Sequence, residues 1–162
     1  MAVLRKVLIG LLIAVVVAVM GVVVLQIILA WISRRTTPEL GVTDGMLQPC
    51  PNAPICVHSQ SEDPRHAIAP ISYTTSLTEA RTTLLNVVAE IENATIVTQD
   101  PTYIRVEVYV KGFGFIDDVE FLFDDEAQVI HFRSSSRVPY YDFELNRKRM
   151  ESVRAAFNAA SN

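Results

Sequence analysis

The segment 112–123, with the sequence GFGFIDDVEFLF, places three carboxylates within a run of apolar side chains. Asp117 and Asp118 are adjacent, and Glu120 follows two residues later. Carboxylates can act as general acids or bases, but neighbouring side chains of a β-strand point to opposite faces of the sheet. The pattern therefore predicts that Asp117 lies on the face of Phe121, whereas Asp118 and Glu120 share the other face.

Asp117 is predicted to lie beneath the helices that cover the apolar face. An unpaired carboxylate in that position would cost several kcal/mol, so it needs amide or cationic partners. We expect Asp117 to accept hydrogen bonds from Asn146 and from one of three arginines, and so to fix the last helix against the sheet. The candidate arginines are Arg133, Arg137 and Arg147.

The other face of the predicted sheet carries side chains of both charge signs, namely Arg105, Glu107, Tyr109, Asp118, Glu120, His131 and Arg133. We interpret it as a solvated surface with cross-strand ion pairs, because antiparallel sheets commonly leave one face in water. A catalytic alternative would use Asp118 or Glu120 as the general base, His131 as the acid and an arginine to hold an anion. A cation site is not expected, since two carboxylates do not complete a six-coordinate oxygen shell.

The only two cysteines, Cys50 and Cys56, are separated by five residues, two of which are proline. A disulfide is the favoured interpretation, because loop-rich cysteine pairs close to an apolar N-terminal segment are usual on the oxidising side of a membrane. One alternative is a zinc site completed by His58 and His66, and another is a pair of free thiols. We predict neither a metal nor a cofactor.

The N-terminal region contains an uninterrupted apolar segment, residues 7–32, after a short tail of residues 1–6. As a helix it would be about 39 Å long at 1.5 Å per residue, whereas the hydrocarbon core of a bilayer is about 30 Å thick. A cleaved signal peptide has a shorter apolar region of about 7–15 residues and a small-residue cleavage site. We therefore predict a single retained transmembrane helix that contacts the lipid bilayer through residues 7–32.

Charge alone does not orient this helix, because Arg5 and Lys6 before it are balanced by Arg34 and Arg35 after it. The predicted disulfide favours a soluble domain on the exoplasmic side, which for a single-pass protein of the bacterial inner membrane is the periplasmic side. Without these four basic residues the chain has ten Lys and Arg against eighteen Asp and Glu, a formal charge of −8. An acidic domain is a poor partner for phosphate backbones, so nucleic acid is not expected.

The remaining chain divides into a predicted tether, residues 33–48, and a soluble domain, residues 49–162. The tether mixes Thr, Pro, Gly and charges without periodicity. In the domain, an amphipathic helix begins at the capping box of Ser76 and Glu79, four strands follow, and Asp142 can cap a last helix. The predicted fold class is α+β: a two-layer sandwich in which two helices cover one face of a four-stranded antiparallel sheet, preceded by the single transmembrane helix.

Three motifs, CPNAPICVHS, GFIDDVEFLFD and HFRSSSRVPYYDFELNRKRMESVR, resemble in order and spacing those of the domain of unknown function 1499 family of bacteria and plastids. His58 and Ile55 replace a serine and an asparagine of the family pattern, and Pro139 and Glu144 replace glycines. The residues that match the pattern are Cys50, Cys56, Asp117, Asp118, Glu120, Arg133, Ser134, Ser136, Arg137, Asp142, Asn146 and Arg147. The family carries no settled activity, so the resemblance implies the domain and leaves its function open.

We predict a non-catalytic binding or accessory domain of a membrane-associated assembly, with a membrane protein as its partner. The alternative is an enzyme or a small-anion-binding domain that uses a polar cluster of aspartates and arginines. The candidate residues of that cluster are Asp117, Asp118, Glu120, Arg133, Arg137, Asp142, Asn146 and Arg147. The sequence does not predict an oligomeric state.

Overall fold

The computed structural model describes residues 1–139 and 142–161. Its helices are α1 (Ala2–Arg35), α2 (Leu77–Ala89) and α3 (Leu145–Ala160). Its strands are β1 (Val42–Thr43), β2 (Met46–Leu47), β3 (Cys56–His58), β4 (Ile71–Ser72), β5 (Ala94–Gln99), β6 (Tyr103–Val110), β7 (Phe115–Asp124) and β8 (Val129–Ser136). The predicted end of the soluble domain, at residue 162, lies outside the described residues.

The main sheet is antiparallel and, among the described residues, has six strands rather than the predicted four. Its order is β3-β8-β7-β6-β5, and β4 also pairs with β8. The four predicted strands are β5 to β8. The additional strands β3 and β4 have three and two residues, which is too short for a recognisable alternation of apolar and polar side chains.

One face of the sheet carries the hydrophobic core. The strand register aligns Ile104, Phe121 and Phe132 across β6, β7 and β8, and all three side chains are fully buried. The helices α2 and α3 pack on this core through residues such as Leu84 and Phe157. Each large apolar side chain buried in this way stabilises the fold by roughly 1.5–3 kcal/mol relative to an exposed one.

The helix α2 begins at the polar residue that the sequence indicated, whereas the N-cap of α3 is Glu144 rather than the predicted Asp142. The hydroxyl of Ser76 accepts a hydrogen bond from the Glu79 N–H, and the Glu79 carboxylate accepts one from the Ser76 N–H, so the predicted capping box is confirmed. At the start of α3, the Asp142 carboxylate accepts a hydrogen bond from the Asn146 N–H at 3.2 Å. Asp142 therefore satisfies a free N–H of the first helical turn, although the helix begins three residues later.

The N-terminal helix α1 is long and apolar enough to cross a membrane, and it is the one helix of the described residues with that property. Its last turns pack against the domain. Ser33 is fully buried, and its hydroxyl accepts a hydrogen bond from the Ile116 N–H at 2.9 Å. Residues 33–48, expected to form a tether without regular structure, instead contain the end of α1 and the hairpin of β1 and β2. The division of the chain into domains at these positions stays a prediction.

Candidate functional site

The face of the sheet opposite the helices carries charged side chains that pair with one another. We call these residues the arginine–carboxylate cluster: Arg105, Glu107, Asp118, Glu120, Arg133 and Arg137. The strand register brings them together, because Glu107 lies opposite Asp118, and Glu120 lies between Arg105 and Arg133. Three arginines and three carboxylates give the cluster no net charge.

Asp118 is the most heavily hydrogen-bonded carboxylate of the cluster. Arg137 donates to both of its oxygens, from Nε at 2.7 Å and from Nη2 at 2.9 Å. Arg105 donates to the Oδ1 atom at 2.9 Å. Both arginines also donate to the Oε1 atom of Glu107. Such bidentate, charge-assisted hydrogen bonds are among the strongest in proteins. They occupy both oxygens of Asp118, which a general base would need for its substrate.

Glu120 is the second buried carboxylate of the cluster. It accepts hydrogen bonds from the hydroxyl of Tyr103 at 2.7 Å and from the N–H of Gly41 at 2.8 Å. The Nη1 atom of Arg133 donates to its other oxygen at 3.3 Å. Tyr103 was not among the residues predicted for this face. Its position in β6, two residues before Arg105, nevertheless indicates that its side chain lies on the same face as that of Arg105.

The cluster shifts the proton affinities of its members. Hydrogen bonds to Asp118 raise the pKa of Arg137. Burial raises the pKa of Tyr103, and the hydrogen bond to Glu120 raises it further. Burial lowers the pKa of Arg133, while the Glu120 carboxylate opposes that effect. Arg137 and Tyr103 are thus held protonated at physiological pH, which suits a structural network better than proton transfer.

This face was expected to be a solvated surface with cross-strand ion pairs: the ion pairs are confirmed, but the expected solvation is wrong for its central carboxylates. Asp118 is 1% exposed and Glu120 is 0% exposed. The end of α1 and the chain that follows it cover them: Gly41 donates to Glu120, and the Ser33 carbonyl of α1 accepts from Arg137 at 3.2 Å. These contacts join residues about eighty to one hundred positions apart, which the alternation within a strand cannot reveal.

Asp117 lies on the helix face, as expected, but its predicted partners are wrong. Its Oδ2 atom accepts a hydrogen bond from the Nη2 atom of Arg149 at 2.7 Å. Burial raises the pKa of Asp117, while the charge and the hydrogen bond of Arg149 lower it. Arg149 was missed because it lies beside the apolar stripe of α3, although its spacing of three residues from Asn146 puts the two on neighbouring positions of the helix surface.

Asn146 joins α3 to β8 and to the loop before β3 through its amide. Its Oδ1 atom accepts from the Ser134 hydroxyl at 2.5 Å and from Arg149 at 2.8 Å. Its Nδ2 group donates to the Ile55 carbonyl at 3.1 Å and to Asp142 at 2.9 Å. These four contacts satisfy a fully buried amide, so Asn146 sets the position of α3 on the sheet.

The structure therefore separates the eight predicted polar residues into three places. Asp118, Glu120, Arg133 and Arg137 belong to the arginine–carboxylate cluster, whereas Asp117, Asp142 and Asn146 lie around the start of α3. Arg147 belongs to neither group, because it donates to the Ala67 carbonyl at 3.1 Å. The predicted residues consequently do not form one site.

Cys50 and Cys56 form a disulfide, with their Cα atoms 5.7 Å apart. The zinc and free-thiol alternatives are therefore not realised. The Nδ1 atom of His66 bonds to the Cys56 carbonyl, and the Nε2 atom of His58 bonds to the Leu47 carbonyl. Within residues 1–139 and 142–161, no group of three His, Cys, Asp or Glu side chains is arranged to hold a metal ion.

Two of the cavities that the described residues form, both outside the arginine–carboxylate cluster, adjoin residues of the family motifs. The larger, about 630 Å³, is next to the disulfide loop and is lined by residues such as Met46, Gln48, Asn52 and Gln60. The smaller, about 180 Å³, lies between α1 and the start of β7 and is lined mainly by apolar side chains, including Leu29 and Phe113. The larger cavity is the better candidate for a ligand or a partner, because it combines apolar surface with neutral hydrogen-bonding groups.

These features define the class of protein: an α+β domain with a buried network of ion pairs, preceded by a helix that could cross a membrane. The chain belongs to the family described as protein of unknown function (DUF1499), which matches residues 46–157. The motif resemblance is thereby confirmed. No match to a curated protein was found.

Proposed function

We propose that the chain is a single-pass membrane protein whose family domain serves as a non-catalytic binding or accessory domain at the bilayer surface. The main support for this proposal is that the central carboxylates of the arginine–carboxylate cluster are buried and already paired. Asp118 and Glu120 are buried, and their oxygens already accept hydrogen bonds from arginines and from Tyr103. A substrate could reach them only by displacing the chain after α1. The cluster therefore joins the sheet to that chain.

The packing of α1 supports a retained anchor. The hydroxyl of Ser33 bonds to Ile116, and its carbonyl bonds to Arg137. Cleavage after α1 would remove Ser33 and leave these buried groups of the domain without their partners, which would cost free energy of folding. The disulfide supports an exported domain, because disulfides persist in oxidising compartments.

The cavity beside the disulfide loop is the proposed binding surface. The neutral amides of Gln48, Asn52 and Gln60 contribute to its lining. The charged groups Asp63 and Arg65 pair with each other at 2.6 Å. A site of this composition favours an uncharged segment of a membrane-protein partner over an anion.

Photo-crosslinking in native membranes tests this role. A photoreactive amino acid at Met46, which lines the cavity, should give one adduct of defined mass, while the same group at the exposed Glu90, the residue after α2, should not. Asn52→Trp should reduce the adduct, because an indole at the rim occludes the cavity. An adduct that forms equally at both positions, or that is unaffected by Asn52→Trp, contradicts the proposal.

The alternative role as an anion-binding domain or enzyme has one observation in its favour. Among the described residues, the Nε atom of Arg133 is buried and has no hydrogen-bond partner. Calorimetric titration of the full-length protein with inorganic phosphate separates the two functions. Binding that is lost in Arg133→Met, while the protein stays folded, would support the anion site; no binding to either protein supports the non-catalytic role.

A further inference from the structure

The turn between β6 and β7 lies along the last turns of α1. The Gln26 side chain donates to the Gly112 carbonyl at 3.0 Å, and Arg34 donates to the Gly114 carbonyl at 3.2 Å. Gln26 and Arg34 are eight residues apart, which corresponds to about 12 Å along a helix. The turn thus follows α1 over a distance that includes part of its apolar segment.

Three phenylalanine rings are stacked beside this contact. The ring centroids of Phe113 and Phe115 are 5.8 Å apart, and those of Phe113 and Phe143 are 6.2 Å apart. Phe113 is 43% exposed and Phe143 is 59% exposed. We call these three residues the phenylalanine surface. Leu29 of α1 lines the same small cavity as all three rings, so the surface continues the apolar side of the helix.

The length of α1 gives the level of the phenylalanine surface relative to a bilayer. The apolar segment 7–32 is about 39 Å long, which exceeds a hydrocarbon core of about 30 Å by about six residues of helix. The domain contacts this segment as far back as Gln26, six residues before Ile32. If the hydrocarbon core begins at residue 7, the part of α1 that exceeds it is the part that packs on the domain, and this would place Phe113 at the membrane boundary.

Aromatic residues and the basic residues at the end of α1 fit such a boundary. Arg34 lies over the Tyr109 ring at 5.3 Å, and Arg35 lies over the Trp31 ring at 5.7 Å. Aromatic rings concentrate at the interface between lipid and water, and arginines direct their charges towards the headgroups. The rest of the chain is strongly acidic, so attachment of the domain to lipid would depend on apolar contact more than on charge.

We propose that the phenylalanine surface is inserted into the interface of the bilayer and holds the domain against the membrane at a fixed angle. The partner of this surface is the lipid itself, at the level where headgroups meet acyl chains. The inference rests on the proposed role of α1 as a membrane-spanning anchor. In this arrangement the domain is not loosely tethered, because one end of its sheet contacts the membrane.

Fluorescence quenching by brominated lipids tests the insertion in vesicles that contain only the full-length protein and lipid. The chain has a single tryptophan, Trp31, which reports insertion of α1 in the wild type. In the Trp31→Phe background, the fluorescence of the Phe113→Trp variant reports whether the phenylalanine surface is inserted into the lipid. The matched control is Glu126→Trp in the same background, because Glu126 lies in the turn at the other end of β7, about 30 Å away along the strand.

We expect lipids brominated near the headgroup end of the acyl chain to cause a loss of fluorescence for Phe113→Trp and none for Glu126→Trp. Raising the salt concentration should not restore the fluorescence, because the contact is apolar. Quenching of Trp31 without quenching of Phe113→Trp overturns the inserted surface and leaves the anchor intact. Absence of quenching at all three positions overturns the anchor as well. Equal quenching at positions 113 and 126 contradicts a single contact at one end of the sheet.

Discussion

Asp117 and Asp118 are adjacent in the chain but belong to separate networks, because successive side chains of β7 point to opposite faces of the sheet. Asp117 pairs with Arg149 of α3, whereas Asp118 pairs with Arg105 and Arg137. A buried ion pair adds little net stability, since both charges lose their hydration. Removal of one partner is costly nevertheless, because the other charge stays buried without its counter-ion.

Arg149→Met should lower the free energy of unfolding by about 3 kcal/mol or more, because it leaves Asp117 buried without a cation. Arg154→Met is the matched control on the same helix. Arg154 pairs with Glu151, whose side chain is 54% exposed, so this change should cost less than about 1 kcal/mol. Denaturant unfolding of the full-length protein in detergent measures both values. Equal losses of unfolding free energy in the two variants would show that the ion pair between Arg149 and Asp117 contributes no more to stability than the pair between Arg154 and Glu151.

His58 should make the stability of the domain depend on pH. Burial lowers the pKa of His58 from 6.5, its hydrogen bond to Leu47 opposes this, and the charges of Arg133 and His131 lower it further. The folded protein thus binds this proton less readily than the unfolded chain does. The stabilising contribution of neutral His58 is therefore complete above pH 6.5 and is lost as the pH falls below it.

Denaturant unfolding between about pH 7.5 and about pH 5.5 measures this dependence, which cannot exceed about 1.4 kcal/mol per pH unit for one proton. His58→Gln should make the curve flatter. Burial also lowers the pKa of His131, so His131→Gln is the necessary comparison and part of the dependence should remain in either variant. A curve for His58→Gln that is as steep as the wild-type curve contradicts the assignment.

At the level of elements, the sequence predicts best where a periodic pattern is long. The alternation of Ile104, Val106 and Val108 identifies β6, and the capping box at Ser76 identifies the start of α2. The strands β3 and β4 are too short to show alternation, and they form because β8 offers them an open edge. Edge pairing depends on the tertiary fold and cannot be inferred from two or three residues.

The candidate site was harder to predict than the strands that carry it. The positions of Asp118 and Glu120 on one face followed from the alternation, but their burial did not. Their cover comes from the distant end of α1 and the chain after it, through backbone groups of Ser33 and Gly41. Backbone groups give no signal in the sequence, since every residue carries them. A polar face of a strand can thus be solvated or covered without any difference in its pattern.

Gly114 lies at one of the places where the domain packs closely against α1. It has a φ of +77°, and an added Cβ atom would lie 3.2 Å from the Cβ atom of Ala30. Gly114→Ala should strain the turn and also push α1 away from β7. Gly112→Ala is the matched control, because Gly112 has a φ of +90° but open space around it. Both changes should cost at least about 1 kcal/mol in backbone strain.

Trypsin cleavage after Arg34 and Arg35 in detergent-solubilised protein measures the additional effect at Gly114. Arg34 is held by its hydrogen bond to the Gly114 carbonyl, so cleavage should be faster in Gly114→Ala than in Gly112→Ala. The same cleavage rate in both variants would mean that the contact with Ala30 does not hold α1 on the domain.

At the scale of the whole molecule, three features connect the domain to its N-terminal helix. The hydrogen bond from Gln26 and the close approach at Gly114 hold the end of the sheet, and the cluster holds the chain after Ser33. The domain and the end of α1 should therefore move together. If α1 spans a bilayer as proposed, this arrangement would hold the cavity beside the disulfide loop at a defined height and direction above the membrane, which a flexible tether would not.

The disulfide favours the proposal that the domain is exported, and single added cysteines can test on which side of the membrane it lies. Glu126→Cys places an exposed thiol on the domain, and Lys6→Cys places one in α1 just before the apolar segment 7–32. If the domain is exported, a membrane-impermeant maleimide should label the first variant in intact cells and the second only after permeabilisation. The native Cys50 and Cys56 should stay unlabelled because they are paired. The reverse labelling pattern would place the domain in the reducing compartment, where a disulfide of this kind is rare, and would contradict the export that the cysteines indicate.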